Sequence, residues 1–235
     1  MRFSARMGAR ETSMASSTVE NYLKELYALQ FEQGEGGTVS MGDLASALKV
    51  TPGTATSMVK SLAKSGLVDY VPRVGVKLSE NGERLALLVL RRHRLIELFL
   101  VKTLGMEWHE IHEEAEMLEH AISDRVLERI DDLLGNPEFD PHGDPIPSAS
   151  GVIAKRDLTP LDQCEQGQSA KISRIENQEE GFLQYLESNK LTPGKSITVT
   201  SRDGHAGVLS VAFDDGAECS MGFPAARKIQ VELCG

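Results

Sequence analysis

Three punctuation marks in the first third of the chain restrict its fold more than any other feature: Ser40, the pair Thr51 and Pro52, and Gly66. Upstream of them, Val19, Leu23, Leu26, Tyr27 and Leu29 recur at helical spacing, and the run Gly34, Glu35, Gly36, Gly37 ends that helix. Ser40 is placed to cap a second helix, Met41 to Leu48. Thr51 caps a third, whose first turn accepts Pro52 because the N–H that proline lacks would be unpaired there anyway. Gly66 stops the third helix after about Ser65, and the alternating stretch from Leu67 to Leu78 reads as a β-hairpin with a basic tip. An opening helix, two short helices and a hairpin make a winged helix-turn-helix.

On the third helix Met58, Val59, Leu62 and Ala63 can face a core. That leaves Thr54, Thr56, Ser57, Lys60 and Lys64 for water or DNA, with Thr51 at the helix start and Arg73 on the wing. Small hydroxyls near a recognition-helix N-terminus suit phosphate oxygens and thymine methyls, and lysines suit phosphates. The net charge of −10 seems to argue against nucleic acid, but residues 1–78 hold nine Lys/Arg against seven Asp/Glu, a net of +2, leaving −12 for the remainder. Only the first segment can face DNA comfortably. The same pattern also fits a winged-helix dimer that binds metal and never touches DNA.

Further on, His112, Glu116, Glu119 and His120 share one stripe of a helix, since positions i, i+3 and i+4 lie on the same face. His93 and Glu97 form a second ligand-capable i, i+4 pair on a different helix, which begins near Ser79. Carboxylates with one or two imidazoles suit Mn²⁺ or Fe²⁺, whereas thiolates would point to zinc or copper. The plain alternative is a solvated acidic face. Trp108 reads as core or subunit interface. The helix carrying Met117, Leu118, Ile122, Val126, Leu127, Ile130, Leu133 and Leu134 has more apolar residues than one narrow stripe needs, which suggests a subunit interface before Gly135, Asn136 and Pro137 end it. A carboxylate-type metalloenzyme is the competing class. Against it, the chain has no H-E-x-x-H, no paired E-x-x-H, and no nucleophile or base apart from the candidate ligands.

The expected fold class is mainly α with small β. An arginine-bearing, disordered tail without an apolar signal run is expected over 1–17, the winged helix-turn-helix over 18–78, a helical metal-binding and dimerisation domain over 79–147, a small polar tether over 148–160, and a β domain over 161–235. Within the last, Ala170 to Ile175, Lys195 to Gly204, Val208 to Phe213 and Ile229 to Leu233 read as strands of a small barrel, with a helix from Glu179 to Asn189. No apolar run approaches the roughly 18 residues of a membrane span. Three sparse cysteines without C-x-x-C spacing fit a reducing cytoplasm.

Four pieces in order then carry a resemblance: Val19 to Leu23 with Asn21 at its centre, Arg91 to Glu97, the cluster His112 to His120 followed by Ser123 and Asp124, and Asp140 to Pro147. The span from about Thr18 to Pro147 resembles the diphtheria toxin repressor family of metal-dependent transcription regulators, particularly its manganese sensors. The C-terminal part resembles the SH3-like domain of longer members. The resemblance implies a cytoplasmic homodimer that represses metal-uptake genes by binding an inverted-repeat operator in double-stranded DNA when loaded with Mn²⁺, or alternatively Fe²⁺. It implies ligand roles for Asn21, Glu116, Glu119 and His120 at one site, for His93 in both branches of the family, and for Glu97, His112 and Glu179 as companions. Glu116 stands where iron-type members have cysteine. Asn21 replaces an aspartate or methionine, Lys24 a glutamate of some manganese sensors, and Phe182 a glutamine. Asp140 and His142 have suitable chemistry but no implied role.

Overall fold

The computed structural model describes residues 16–34 and 37–234. The chain divides into two compact units, residues 1–87 and 88–235. The expected tail lies outside the described residues up to residue 15, and so do Glu35 and Gly36 of the glycine-rich stop; Ser17 already belongs to the first helix.

In the first unit α1 spans Ser17–Gln33, capped by Ser16, whose Oγ accepts from the Val19 N–H, and terminated by Gly34 at φ 86°. Helices α2 (Met41–Ala47) and α3 (Pro52–Lys64) begin at the anticipated caps: Ser40 Oγ accepts from Asp43 N at 3.1 Å, and Thr51 Oγ1 from Thr54 N at 3.2 Å. Each cap satisfies a helix N–H that would otherwise lack an intrahelical partner. The wing is β1 (Val68–Val71) antiparallel to β2 (Gly75–Leu78). Val39 bridges to Val76, and a Cβ at Gly75 would run into the Val39 carbonyl, so only glycine lets this hairpin close onto the body. Tyr22, Leu23, Leu26, Val39, Leu44, Val59, Leu62 and Val76 form the core.

The long helix α4 (Glu80–Leu104) runs from the first unit into the second, followed by α5 (Ile111–Glu119) and α6 (Asp124–Leu134). The sequence pattern suggested one helix from Met117 to Leu134. The chain instead leaves the helix at His120 and restarts at Ser123, whose Oγ accepts from Val126 N at 3.4 Å. The serine cap at Ser123, three residues after His120, marks this break in the sequence. Leu127 and Ile130 turn inward, whereas Met117, Leu118, Val126 and Leu133 stay exposed, as a subunit interface requires.

After Gly135 the chain has no helix or regular strand until β3 (Thr159–Pro160). A short 3-10 turn then leads to β4 (Ser169–Ile175), α7 (Glu180–Ser188), β5 (Ser196–Asp203), β6 (Val208–Phe213), β7 (Glu218–Gly222), α8 (Phe223–Ala226) and β8 (Ile229–Leu233). The strands make one antiparallel sheet in the order β3-β8-β4-β5-β6-β7. Sequence reading found four of these strands and α7. It missed β7, which buries only Cys219 and Met221, as well as the two-residue β3 and the single turn α8. Leu161, Ile172, Ile175, Leu186, Val199, Leu209 and Val231 fill the core, joined by Trp108 from the α4–α5 turn. Mainly α with a small SH3-like β domain is therefore the observed architecture. Among the described residues no helix is long and apolar enough to cross a membrane.

Candidate metal centre

Leu95, Ile96 and Leu98 are buried in the middle of α4, and His93 and Glu97, four residues apart on one face of the same helix, are buried as well. His93 and Glu97 are 6% and 1% exposed, so the pair is not a surface ion pair. His93 Nε2 lies 3.0 Å from Glu97 Oε1. On its other side His93 Nδ1 lies 2.6 Å from Glu119 Oε2 and 4.0 Å from Glu116 Oε1, both on α5. His112, one turn before Glu116, reaches Glu97 at 3.4 Å and Glu116 at 3.8 Å. His120 Nε2 stands 3.4 Å from Glu119 Oε1. The stripe and the pair, read separately from sequence, thus form one continuous set of donors.

A third group joins it. Glu97, Asp140 and His142, all buried, offer ligand atoms within 4.8 Å of one another, as do His93, Glu97 and His112, and His93, Glu116 and Glu119. The residues 140 to 147 form a tight loop in which Asp140 Oδ1 accepts from the His142 and Asp144 N–H groups at 2.8 and 2.9 Å. The His142 ring stacks on Trp108, 5.4 Å between centroids, and its Nε2 faces the Trp108 carbonyl at 3.2 Å. A Cβ at Gly143 would collide with Ser173 of β4, so this loop packs backbone to backbone against the sheet domain. Asp144 is held there by Arg174 at 2.6 Å and Gln178 at 2.7 Å. The sequence resemblance implies no role for Asp140 and His142; their D-x-H spacing is the signal that marks them.

The electrostatics are those of a site designed around positive charge. Burial alone would push the Glu97 carboxyl up, but His93, His112 and His142 around it hold it well below the usual range. Asp140 goes the opposite way: burial, then Asp144 and Glu97, push it well above an ordinary aspartate, with Arg94 only partly offsetting them. Burial likewise lowers His142, against the pull of Glu97. Glu97, Glu119 and Asp140 are buried and Glu116 is partly exposed, so this concentration of carboxyl groups suits a cation, and imidazole with carboxylate is the donor chemistry of Mn²⁺, Fe²⁺ or Zn²⁺. The residues fit a divalent metal.

Two further expected ligands lie on other elements. Asn21 lies on α1 in the first unit, and its Oδ1 is buried with no hydrogen-bond partner among the described residues. Glu179 is the exposed N-cap residue of α7 and belongs to none of the donor groups; Phe182 packs partly against the sheet-domain core.

On the reading head, Thr51, Thr54, Ser57, Lys60, Lys64 and Arg73 are exposed. The Thr51 and Thr54 hydroxyls pair at 2.9 Å. Thr56 is half-buried and its hydroxyl donates to the Pro52 carbonyl at 2.7 Å, which leaves it less to offer a ligand than sequence suggested. Arg73 adopts φ 69° at the wing turn.

Three family models match successive parts of the chain: the N-terminal DNA binding domain of iron dependent repressors over residues 14–76, their metal binding and dimerisation domain over 79–148, and an FeoA domain over 159–233. The chain belongs to the diphtheria toxin repressor family. It is a metal-dependent, DNA-binding transcriptional regulator that dimerises, and not an enzyme. An uncharacterized HTH-type transcriptional regulator of Methanocaldococcus jannaschii, MJ0568, is 37% identical over 115 residues, covering 49% of this chain and 90% of that one. The iron-dependent repressor IdeR of Mycobacterium tuberculosis is 36% identical over 130 residues, 55% of each chain. A solved manganese-dependent transcriptional repressor in complex with manganese superposes with a TM-score of 0.80 at 40% identity, covering 92% of this regulator and all of that chain.

Proposed function

We propose that this regulator is a cytoplasmic, manganese-responsive repressor that binds an inverted-repeat operator as a homodimer and controls metal-uptake genes. The observation that carries the choice of ion is Glu116. A carboxylate at that position keeps the set around His93 all oxygen and nitrogen, which suits Mn²⁺ over softer ions. The proposed ligands are Glu116, Glu119, His120, His93, Glu97 and His112, with Asn21 contributed by the first helix; Asp140 and His142 extend the set on the Glu97 side. Glu179, exposed at its helix cap, would have to move to take part.

Bound there, a divalent cation supplies the positive charge that the buried carboxylates require. The protein residues do the rest. His93 presents one ring nitrogen to α4 and the other to α5, so its orientation fixes the two helices against one another. Asn21 places an amide oxygen on the helix that opens the DNA-binding domain, which makes it the residue through which donor geometry can bias the reading head between conformations. Ser57 and Thr54 meet the DNA groove, while Lys60, Lys64 and Arg73 meet phosphates.

The test is a gel-shift on the upstream regions of its own gene and of neighbouring transporter genes, with apo-protein titrated by Mn²⁺, Fe²⁺, Co²⁺ and Zn²⁺. Activation by Mn²⁺ at concentrations a cell supplies supports the reading. DNA binding unaffected by any of the four ions refutes it.

A further inference from the structure

Outside the centre just described, a second set of metal-ligating side chains converges between the helical region and the sheet domain. Glu107 and His109 flank Trp108 in the turn between α4 and α5, and Glu187 lies near the end of α7. His109 Nδ1 is 3.0 Å from Glu187 Oε2, and Glu107 hydrogen-bonds to the same carboxyl. Ligand atoms of all three lie within 4.8 Å of one another. Two nitrogen or oxygen ligands at about 2.1 Å from an ion sit no more than about 4.2 Å apart, so small side-chain rotations close the set.

The position is fixed from both sides. Trp108 is 6% exposed and packs in the apolar core of the sheet domain, which anchors the turn that carries Glu107 and His109. Leu183 and Leu186 seat α7 in the same core, which anchors Glu187. The His109 side chain is itself only 14% exposed. Two carboxyl groups on separately anchored elements are thus held facing one another, where free surface glutamates would swing apart. Two carboxyl groups so placed favour a proton, the charged His109 ring or a bound cation beside them. Burial, and then the hydrogen bond with Glu107, push the Glu187 carboxyl up, against the opposing pull of His109.

We propose that Glu107, His109 and Glu187 form a divalent-cation site, sharing no residue with the set around His93, that pins the α4–α5 turn to α7 and so locks the sheet domain onto the helical region. One imidazole and two carboxylates suit Zn²⁺ or Mn²⁺, with Zn²⁺ the tighter by the general affinity order, and three protein ligands leave positions for water.

The experiment counts metal on the full-length protein. Metal-free parent, His109→Ala and Glu187→Gln are dialysed against Zn²⁺, and against Mn²⁺, and bound metal per chain is measured by mass spectrometry. The expected result is one equivalent fewer Zn²⁺ in both variants, with Mn²⁺-activated DNA binding retained. Equal stoichiometry in all three proteins overturns the site. Because a lost equivalent could also follow from misfolding, anomalous diffraction from Zn²⁺-soaked crystals of the unmodified protein decides independently: a peak among the three side chains upholds the proposal, and no peak there overturns it.

Discussion

His93 faces Glu97 with Nε2 at 3.0 Å and Glu119 with Nδ1 at 2.6 Å. A neutral imidazole carries one N–H, so only the imidazolium can donate to both carboxylates. That contact pair calls for positive charge at His93, which a proton or a bound cation can supply.

It follows that metal and proton compete. Loading the site should release about one proton from His93 at neutral pH, because a ligating imidazole must be deprotonated. Calorimetry of Mn²⁺ binding in buffers of different ionisation enthalpy measures this directly. His93→Gln should release about one proton fewer, and identical release in both proteins would show that His93 is not the charged group.

The α5 carboxylate and its neighbour should be needed for activation and not for folding. Glu119→Gln and His120→Ala are expected to remain folded dimers by sedimentation, since a fully buried carboxyl group is a cost as well as a contact and glutamine keeps its shape. Their DNA affinity should no longer rise with Mn²⁺. An unchanged metal response in both would return these residues to the role of an acidic face.

Asp140 should trade stability for binding. Its folded-state pKa is raised above the ordinary 3.8, so its contribution is fully present below that value and is lost as pH rises through the folded pKa. Asparagine keeps the acceptor for the His142 and Asp144 N–H groups but cannot ionise. Melting of metal-free Asp140→Asn should therefore lie above the parent at neutral pH, with the gain shrinking toward about pH 4, while metal affinity falls. A gain independent of pH would mean that the Asp140 pKa does not differ between the folded and unfolded chain.

Which parts of this were legible in the sequence follows from the range of the interactions. Ser40, Thr51 and Gly66 act within four residues of themselves, so caps and helix limits of the reading head could be placed before any coordinates. The His112 to His120 stripe was equally local. What sequence could not show is that His93 lies between the pair on its own helix and the stripe on another, or that the loop at Asp140 brings His142 to Glu97. Those contacts depend on how α4, α5 and the sheet domain pack. The break at Ser123 was missed because apolar residues continue across it.

The reading head gives a separable pair of outcomes. Lys60→Ala should weaken binding to all sequences alike and reduce the slope of log K against log salt by about one, as expected for a lost phosphate contact. Ser57→Ala, exposed near the start of α3, should alter discrimination among operators more than overall affinity. Filter binding at several salt concentrations on a small operator library separates the two, and no effect from either would exclude this face of α3 from the interface.

The choice of ion turns on two positions that pull in opposite directions. Glu116 gives the centre a hard carboxylate, half-exposed and 4.0 Å from His93, whereas Asn21 brings a neutral amide where charge would tighten any divalent ion. The buried Asn21 Oδ1, with no hydrogen-bond partner among the described residues, is an oxygen a cation would satisfy. Asn21→Asp should accordingly lower the Mn²⁺ concentration needed for half-maximal DNA binding. Glu116→Cys should move the response toward Fe²⁺, Co²⁺ or Zn²⁺, since thiolate is the softer donor. The two substitutions test different claims: the first asks whether the opening helix supplies a ligand, the second whether position 116 sets selectivity. If Asn21→Asp leaves Mn²⁺ activation unchanged while Glu116→Cys shifts the ion preference, the ion is selected without the first helix, and the link to the reading head must run through α4, whose His93 and Glu97 already stand in the donor set.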